Sequence, residues 1–143
     1  MAETLKEIIT NPTTRPIVID ECVELVESEV GNKGLIIRGA FKTVRKIKPG
    51  FVKGAVDGLL DEWLDRMEPY YGSWKSKDEG SFGVHLTEQK REVANDLLKV
   101  TDERAETSKH KTAAKMYKKL RPTALNHVES AVPGLAALIE KHL

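Results

Sequence analysis

Phe51-Val52-Lys53-Gly54-Ala55-Val56-Asp57-Gly58-Leu59-Leu60-Asp61-Glu62-Trp63-Leu64-Asp65-Arg66-Met67 is the stretch on which the fold class turns. Phe51, Val52, Ala55, Val56, Leu59, Leu60, Trp63 and Met67 recur at intervals of three and four, which gathers them on one side of an α-helix. No run of strict apolar–polar alternation, the mark of a half-buried strand, is long enough anywhere in the chain to compete. The expected class is all-α: a compact single-domain bundle over residues 1–143, with about six to eight helices punctuated by prolines.

Upstream, Thr4-Leu5-Lys6-Glu7 has the form of a capping box, and a short helix from there ends near Asn11-Pro12. A second helix is expected from Pro16 to Val30, with Ile19, Cys22, Val23, Val26 and Val30 inward. Asp20, Glu21, Glu24 and Glu27 face out, and Gly31 closes it. A third, from Gly34 to Ile47, buries Leu35, Ile36, Ala40, Phe41, Val44 and Ile47, and a fourth restarts from Pro49 and runs toward Met67. Beyond it, Glu68-Pro69 opens an aromatic elbow or short helix, and Ser76 to Ser81 reads as the most mobile loop. Phe82, Val84 and Leu86 sit on a short turn before a helix opened by Thr87 with Glu88, whose inner positions are Val93, Ala94, Leu97, Leu98 and Thr101. Further helical segments are expected to break at Arg121-Pro122 and at Pro133-Gly134.

The chain has 143 residues, of which 40% are apolar and 31% charged, enough for one core without a metal or disulfide to hold it. Its single cysteine, Cys22, forms no internal bridge, and a reducing compartment, the cytoplasm, is expected. The first seven residues mix acid with base and lack the apolar run of a signal peptide. The longest charge-free apolar stretch, Ser130 to Ile139, is far short of the ~18 residues of a membrane span, so no membrane partner is expected.

A formal net charge of +1 hides strong segregation. Val30 to Val56 holds seven bases and no acid, and Thr107 to Val128 holds six and no acid, so the remainder of the chain carries −12. Arg38, Lys42, Arg45 and Lys46 fall at helical spacing, as do Lys111, Lys115, Lys118 and Lys119, so each set forms a positive ridge. Side by side the ridges would bind a polyanion such as a nucleic acid. Facing acidic rows such as Asp20-Glu24-Glu27 or Asp57-Asp61-Asp65, they would make exposed ion pairs of little worth. Exposed aromatics for stacking on bases are missing from both ridges, and the solvated reading is favoured.

Gly50, Gly54 and Gly58 lie four apart on one helix face, where each glycine costs about 1 kcal/mol against alanine. A close helix crossing, within the fold or across a dimer, is the expected reason. Trp63, Tyr70, Tyr71, Trp74 and Phe82 concentrate around the elbow, either as a ligand pocket or interface or as the plug of the core. Glu68 and His85 would add a carboxylate and an imidazole for proton transfer. Asp102 and Arg104 near a helix end either brace a neighbouring helix or hold a polar ligand. His85, His110, His127 and His142 are scattered without ligand spacing, so no metal, and no cofactor, is expected.

Lys48-Pro49-Gly50 through Tyr71, Thr101-Asp102-Glu103-Arg104-Ala105, and Tyr117-Lys118-Lys119-Leu120-Arg121 through Ala131-Val132-Pro133 resemble a family of small bacterial helical proteins with no assigned activity. The resemblance covers nearly the whole length and implies a bacterial, cytoplasmic, single-domain protein; it carries over no functional residue. A non-enzymatic binding or assembly protein is expected, using a helical surface toward a protein partner or a second copy. The alternatives are a polyanion binder acting through the basic ridges and a small-molecule protein with a pocket drawing on Tyr70, Trp74, His85, Asp102 and Arg104.

Overall fold

A computed structural model describes residues 3–31, 34–46, 50–77 and 80–143, the side chain of Ile36 aside. Among the described residues there are seven helices and no strand: α1 (Leu5–Ile9), α2 (Arg15–Gly31), α3 (Leu35–Arg45), α4 (Phe51–Lys77), α5 (Phe82–Glu88), α6 (Lys90–Glu106) and α7 (Lys111–Glu140). The capping box forms as written in the sequence: Thr4 Oγ1 accepts from the Glu7 amide at 3.1 Å and Glu7 Oε1 from the Thr4 amide at 3.2 Å. A helix of five residues does not stand alone. Glu68 on α4 accepts the Leu5 amide at 2.7 Å, and Leu5 and Ile9 are wholly buried, so α1 is fixed by α4 rather than by its own sequence.

One apolar cluster draws on α1, α2, α4, α5, α6 and α7. Its long helices contribute Val56, Leu60, Leu64, Met67 and Tyr71 from α4, Val93, Ala94 and Leu97 from α6, and Val132, Ala136 and Ile139 from α7, with α6 packed on both α4 and α7. The true inner stripe of α4 thus passes through Leu64, outside the expected set, while Phe51, Val52, Ala55, Leu59 and Trp63 are half-buried on its flank.

The first helix does end before Pro12, at Ile9, but the breaks expected at Pro69, Pro122 and Pro133 do not occur. Helix α4 runs through Pro69, and α7 is one 30-residue helix through Pro122 and Pro133. A proline removes one intrahelical hydrogen bond and crowds the carbonyl four residues back. All three prolines are exposed, as are Asp65 and Lys118 four residues before the first two. Water can therefore satisfy the freed carbonyls there, while the buried stripe continues unbroken on the opposite side from Leu64 and Met67 to Tyr71. The elbow at Glu68 to Trp74 is accordingly helix. The expected turn at Phe82 is helix α5, capped by the Ser81 side chain on the Val84 amide at 3.2 Å, and the following helix begins at Lys90 rather than Thr87. Of the loop expected at Ser76 to Ser81, Ser76 and Lys77 belong to α4, Gly80 takes φ +67°, and Asp78 and Glu79 lie outside the described residues.

Helix α3 is the exception to the common core. It rests on α2, α4 and α7, yet none of its described side chains is buried. Leu35, expected inside, is 83% exposed, while Ile37, Ala40, Phe41 and Val44 are only half-buried; Ile47 lies outside the described residues. On α2, Glu21 also departs from expectation. It turns inward to hold the C-terminus, contacting Lys141 Nζ and, at 2.5 Å, His142 Nε2. Burial pushes its carboxyl up, but the hydrogen bonds from Lys141 and His142 outweigh that and hold it below the usual range.

Candidate functional site

Between α2, α3, α4, α6 and α7 lies a cavity of about 370 Å³. Val26, Ile37, Leu60, Trp63, Leu98 and Ala131 represent these five helices, Ile9 of α1 also belongs to the lining, and no polar atom of the lining is accessible from within it. Two features keep it open. Helix α7 faces it with Ala124 and Ala131, one heptad apart, where larger side chains would fill the space. Helix α3 covers one side, and none of its described side chains is buried there.

The polar residues at the wall are turned away or already engaged. Tyr117 donates to Asp102 Oδ1 at 2.6 Å and lies 2.7 Å from Thr101 Oγ1, while Arg121 grips Asp102 with Nε at 2.8 Å and Nη2 at 3.2 Å. The Arg121 hydrogen bond, with help from Tyr117, holds the Asp102 carboxyl below its ordinary range. Burial, reinforced by the Asp102 hydrogen bond, pushes the Tyr117 hydroxyl up to about 12. This network clamps α6 to α7 beside the cavity. In α4, Trp63 Nε1 is buried with no hydrogen-bond partner among the described residues. Cys22 also borders the space, its thiol pushed up to about 11 by burial and, secondarily, by Glu21.

Of the residues singled out by sequence, Trp63 alone reaches this cavity. Tyr71, Trp74 and Phe82 form a three-ring cluster with centroids 5.5–5.8 Å apart, which pins α5 to the end of α4 and so plugs the core. Tyr70 points to α6 and donates to Asp96 at 2.5 Å; burial, then that hydrogen bond, raises its hydroxyl pKa. His85 pairs with Gln89 at 3.1 Å, and Glu68 is committed to the Leu5 amide, so the two form no proton-transfer pair. Asp102 serves Arg121 while Arg104 grips Glu62 on α4, with Nε at 3.0 Å. At 1.5 Å per residue Asp102 lies about 18 Å along α6 from Lys90, which removes it from His85 on α5. The pocket expected to join His85, Asp102 and Arg104 therefore does not form.

The glycine row is not at a close crossing inside the fold. A Cβ placed at Gly54 or Gly58 would meet nothing within 4 Å, and Gly50 is a left-handed turn residue with φ +72°. Gly54 and Gly58 instead floor a second cavity of about 340 Å³ beside Phe51, Arg104 and His110. The close approach lies elsewhere, at Gly134 of α7, where a Cβ would stand 2.7 Å from Leu25 Cδ1 of α2.

The basic ridges divide. Arg45 pairs with Glu27 at 3.3 Å and lies 5.1 Å over the Phe41 ring, and Lys53 meets Asp20 at 3.0 Å, in keeping with ridges that face acids. Asp57 and Asp61 are taken by Arg15, and Asp65 by Lys6. Arg38, Lys42, Lys46, Lys115, Lys118 and Lys119 are all exposed, and no carboxylate among the described residues pairs with them. Also among the described residues, no group of three histidine, cysteine or acidic side chains could hold a metal, and no helix is long and apolar enough to cross a membrane.

The cavity was missed because its lining reads in sequence as core stripe. A trace of it is present in the alanines at 124 and 131, placed on a face that elsewhere carries Leu120, Val128 and Leu135. Comparison with curated proteins and with solved structures gives no match. A family model matches residues 5–143, nearly all of the chain, and by that match the protein belongs to DUF6918, a family of unknown function.

Proposed function

We propose that this protein binds a small hydrophobic molecule, or the apolar part of a larger one, in the cavity between α2, α3, α4, α6 and α7. The observation that carries this reading is a space of about 370 Å³ whose wall offers no accessible polar atom. A buried water needs two to four polar partners and finds none there. Left without an occupant, this apolar wall forgoes the dispersion contacts that a packed core would make. An apolar occupant restores the missing contacts.

Size narrows the ligand. A cavity of roughly 150 Å³ accepts benzene, so this one has room for about two and a half such rings, or on the order of fifteen carbon atoms. A medium acyl chain, an isoprenoid or a fused-ring compound fits. The hydroxyls at the wall, Thr101 and Tyr117, are tied to each other and, through Tyr117, to Asp102 and Arg121. Surface assembly has less in its favour, because the large apolar side chains exposed among the described residues, Ile17, Leu35, Val84 and Leu143, belong to four separate segments. A cytoplasmic site of action accords with Cys22, an unbridged buried thiol.

Titration with the fluorescent probe N-phenyl-1-naphthylamine, followed by displacement with fatty acids of increasing length, tests the proposal. Saturable one-to-one uptake that is lost when Ala124→Leu and Ala131→Leu fill the space is expected. Uptake that never saturates, or that the filled variant retains, contradicts it.

A further inference from the structure

The outer face of α3 combines a large exposed apolar side chain with a row of cations. Leu35, Arg38, Lys42 and Lys46 follow one another at intervals of three and four and so share one side of the helix. Leu35 is 83% exposed, and the three cations have no carboxylate partner among the described residues. Their chain neighbours could not supply one, since Val30 to Val56 contains no acid at all. Helix α3 packs against α7, whose sequence carries Lys115, Lys118 and Lys119, exposed and likewise without carboxylate partners among the described residues. The inward side of the same helix carries Ile37 into the wall of the apolar cavity.

We propose that the outer face of α3, flanked by the lysines of α7, docks on an anionic lipid bilayer, with Arg38, Lys42 and Lys46 at the headgroups and Leu35 inserted between them. Charge complementarity selects the partner: a field of cations without internal counter-charges is what a negatively charged leaflet attracts. The exposed leucine and the absence of exposed aromatic side chains from the face distinguish it from a surface built to stack on nucleic-acid bases. The contact is peripheral, with the helix lying in the interface plane. The inference goes beyond the cavity reading and stands without it, although a helix that touches lipid on one side and an apolar cavity on the other is well placed to pass a hydrophobic ligand.

Co-sedimentation of the full chain with vesicles of phosphatidylcholine, with and without phosphatidylserine, tests the docking. Binding is expected only to vesicles containing phosphatidylserine, and it should weaken as salt screens the charges. Each unpaired base near such a surface is worth about fivefold in affinity, so Arg38→Gln, Lys42→Gln and Lys46→Gln together should reduce binding on the order of a hundredfold. Leu35→Ser should weaken it several-fold without changing the salt dependence. These positions are exposed, so circular dichroism and probe uptake by the cavity should be unchanged in every variant, which separates a failure of docking from a failure of the cavity. No binding to phosphatidylserine vesicles at low salt would overturn the proposal. So would equal binding by the triple variant, or tighter binding to duplex DNA or RNA that the triple substitution abolishes and Leu35→Ser leaves intact.

Discussion

Tyr117 and Asp102 meet across the α6–α7 interface with 2.6 Å between hydroxyl and carboxylate, and the bond stands beside a cavity that neither residue enters with a polar atom. The pair explains how an apolar space can border polar residues: each spends its hydrogen-bonding capacity on the other, and Arg121 on the outer side neutralises the charge. The clamp holds two walls of the cavity at a fixed separation.

The clamp should show in the acid limb of stability. Asp102 has a folded-state pKa below its ordinary value near 3.8. Its contribution is therefore fully present above that pH and is lost as the pH falls through the lower folded-state value. Asp102→Asn should cost about 1 kcal/mol at neutral pH, a figure kept small by the partial exposure of the carboxylate. Denaturant midpoints of wild type and variant, measured from pH 7 to pH 2, should converge below about pH 3.8. A constant gap across the range would show that the charge is not what matters.

The glycines make opposite predictions. Gly54→Ala and Gly58→Ala place a methyl group in open space on a helix, so each should stabilise by roughly 1 kcal/mol. Gly50→Ala forces a left-handed conformation on an L-residue and should destabilise by roughly 1–2 kcal/mol. Gly134→Ala must displace Leu25 and should recover none of the helix-propensity gain. Thermal unfolding of the four variants checks the order; destabilisation by Gly54→Ala and Gly58→Ala, dependent on protein concentration, would instead place the glycine row at a dimer crossing.

The same residues show how far sequence reaches into this fold. Period and spacing are local, so the all-helical class, the Thr4–Glu7 cap, most of the inner face of α2 and that of α6 up to Leu98 were legible, whereas at its end Val100 is buried in place of the expected Thr101. Proline is a local signal too, but its effect depends on whether the freed carbonyl meets water, and the exposed positions of Pro69, Pro122 and Pro133 are a tertiary fact. Glu68 looked like a catalytic carboxylate because nothing nearby in sequence reveals that it caps Leu5, 63 residues away. The cavity was illegible for a related reason: a residue lining a void and a residue lining a packed core have the same hydrophobicity and period, and only the relation between five helices separates them.

Filling the void should stabilise rather than strain. Enlarging a side chain in a close-packed core costs about 1–3 kcal/mol, but Ala131→Leu extends into empty space and should raise stability by about 1 kcal/mol or more. Chemical denaturation of the ligand-free protein checks the sign. Destabilisation would mean that the space is closed in solution.

Cys22 reports on access. Only 7% exposed and with its thiol pushed up to about 11, it should react with a disulfide reagent at pH 8 far more slowly than a free thiol. Because Cys22 borders the cavity, saturation with a hydrophobic ligand should slow the reaction further. A rate that ligand leaves untouched would separate Cys22 from the occupied space.

The most direct test of the apolar cavity is diffraction from a crystal pressurised with xenon, a gas that enters dry apolar voids and takes no hydrogen bonds. Anomalous density is expected between Val26, Leu60, Trp63 and Ala131. A lattice of well-ordered molecules with no xenon there, and with those four side chains in mutual contact, would contradict the account.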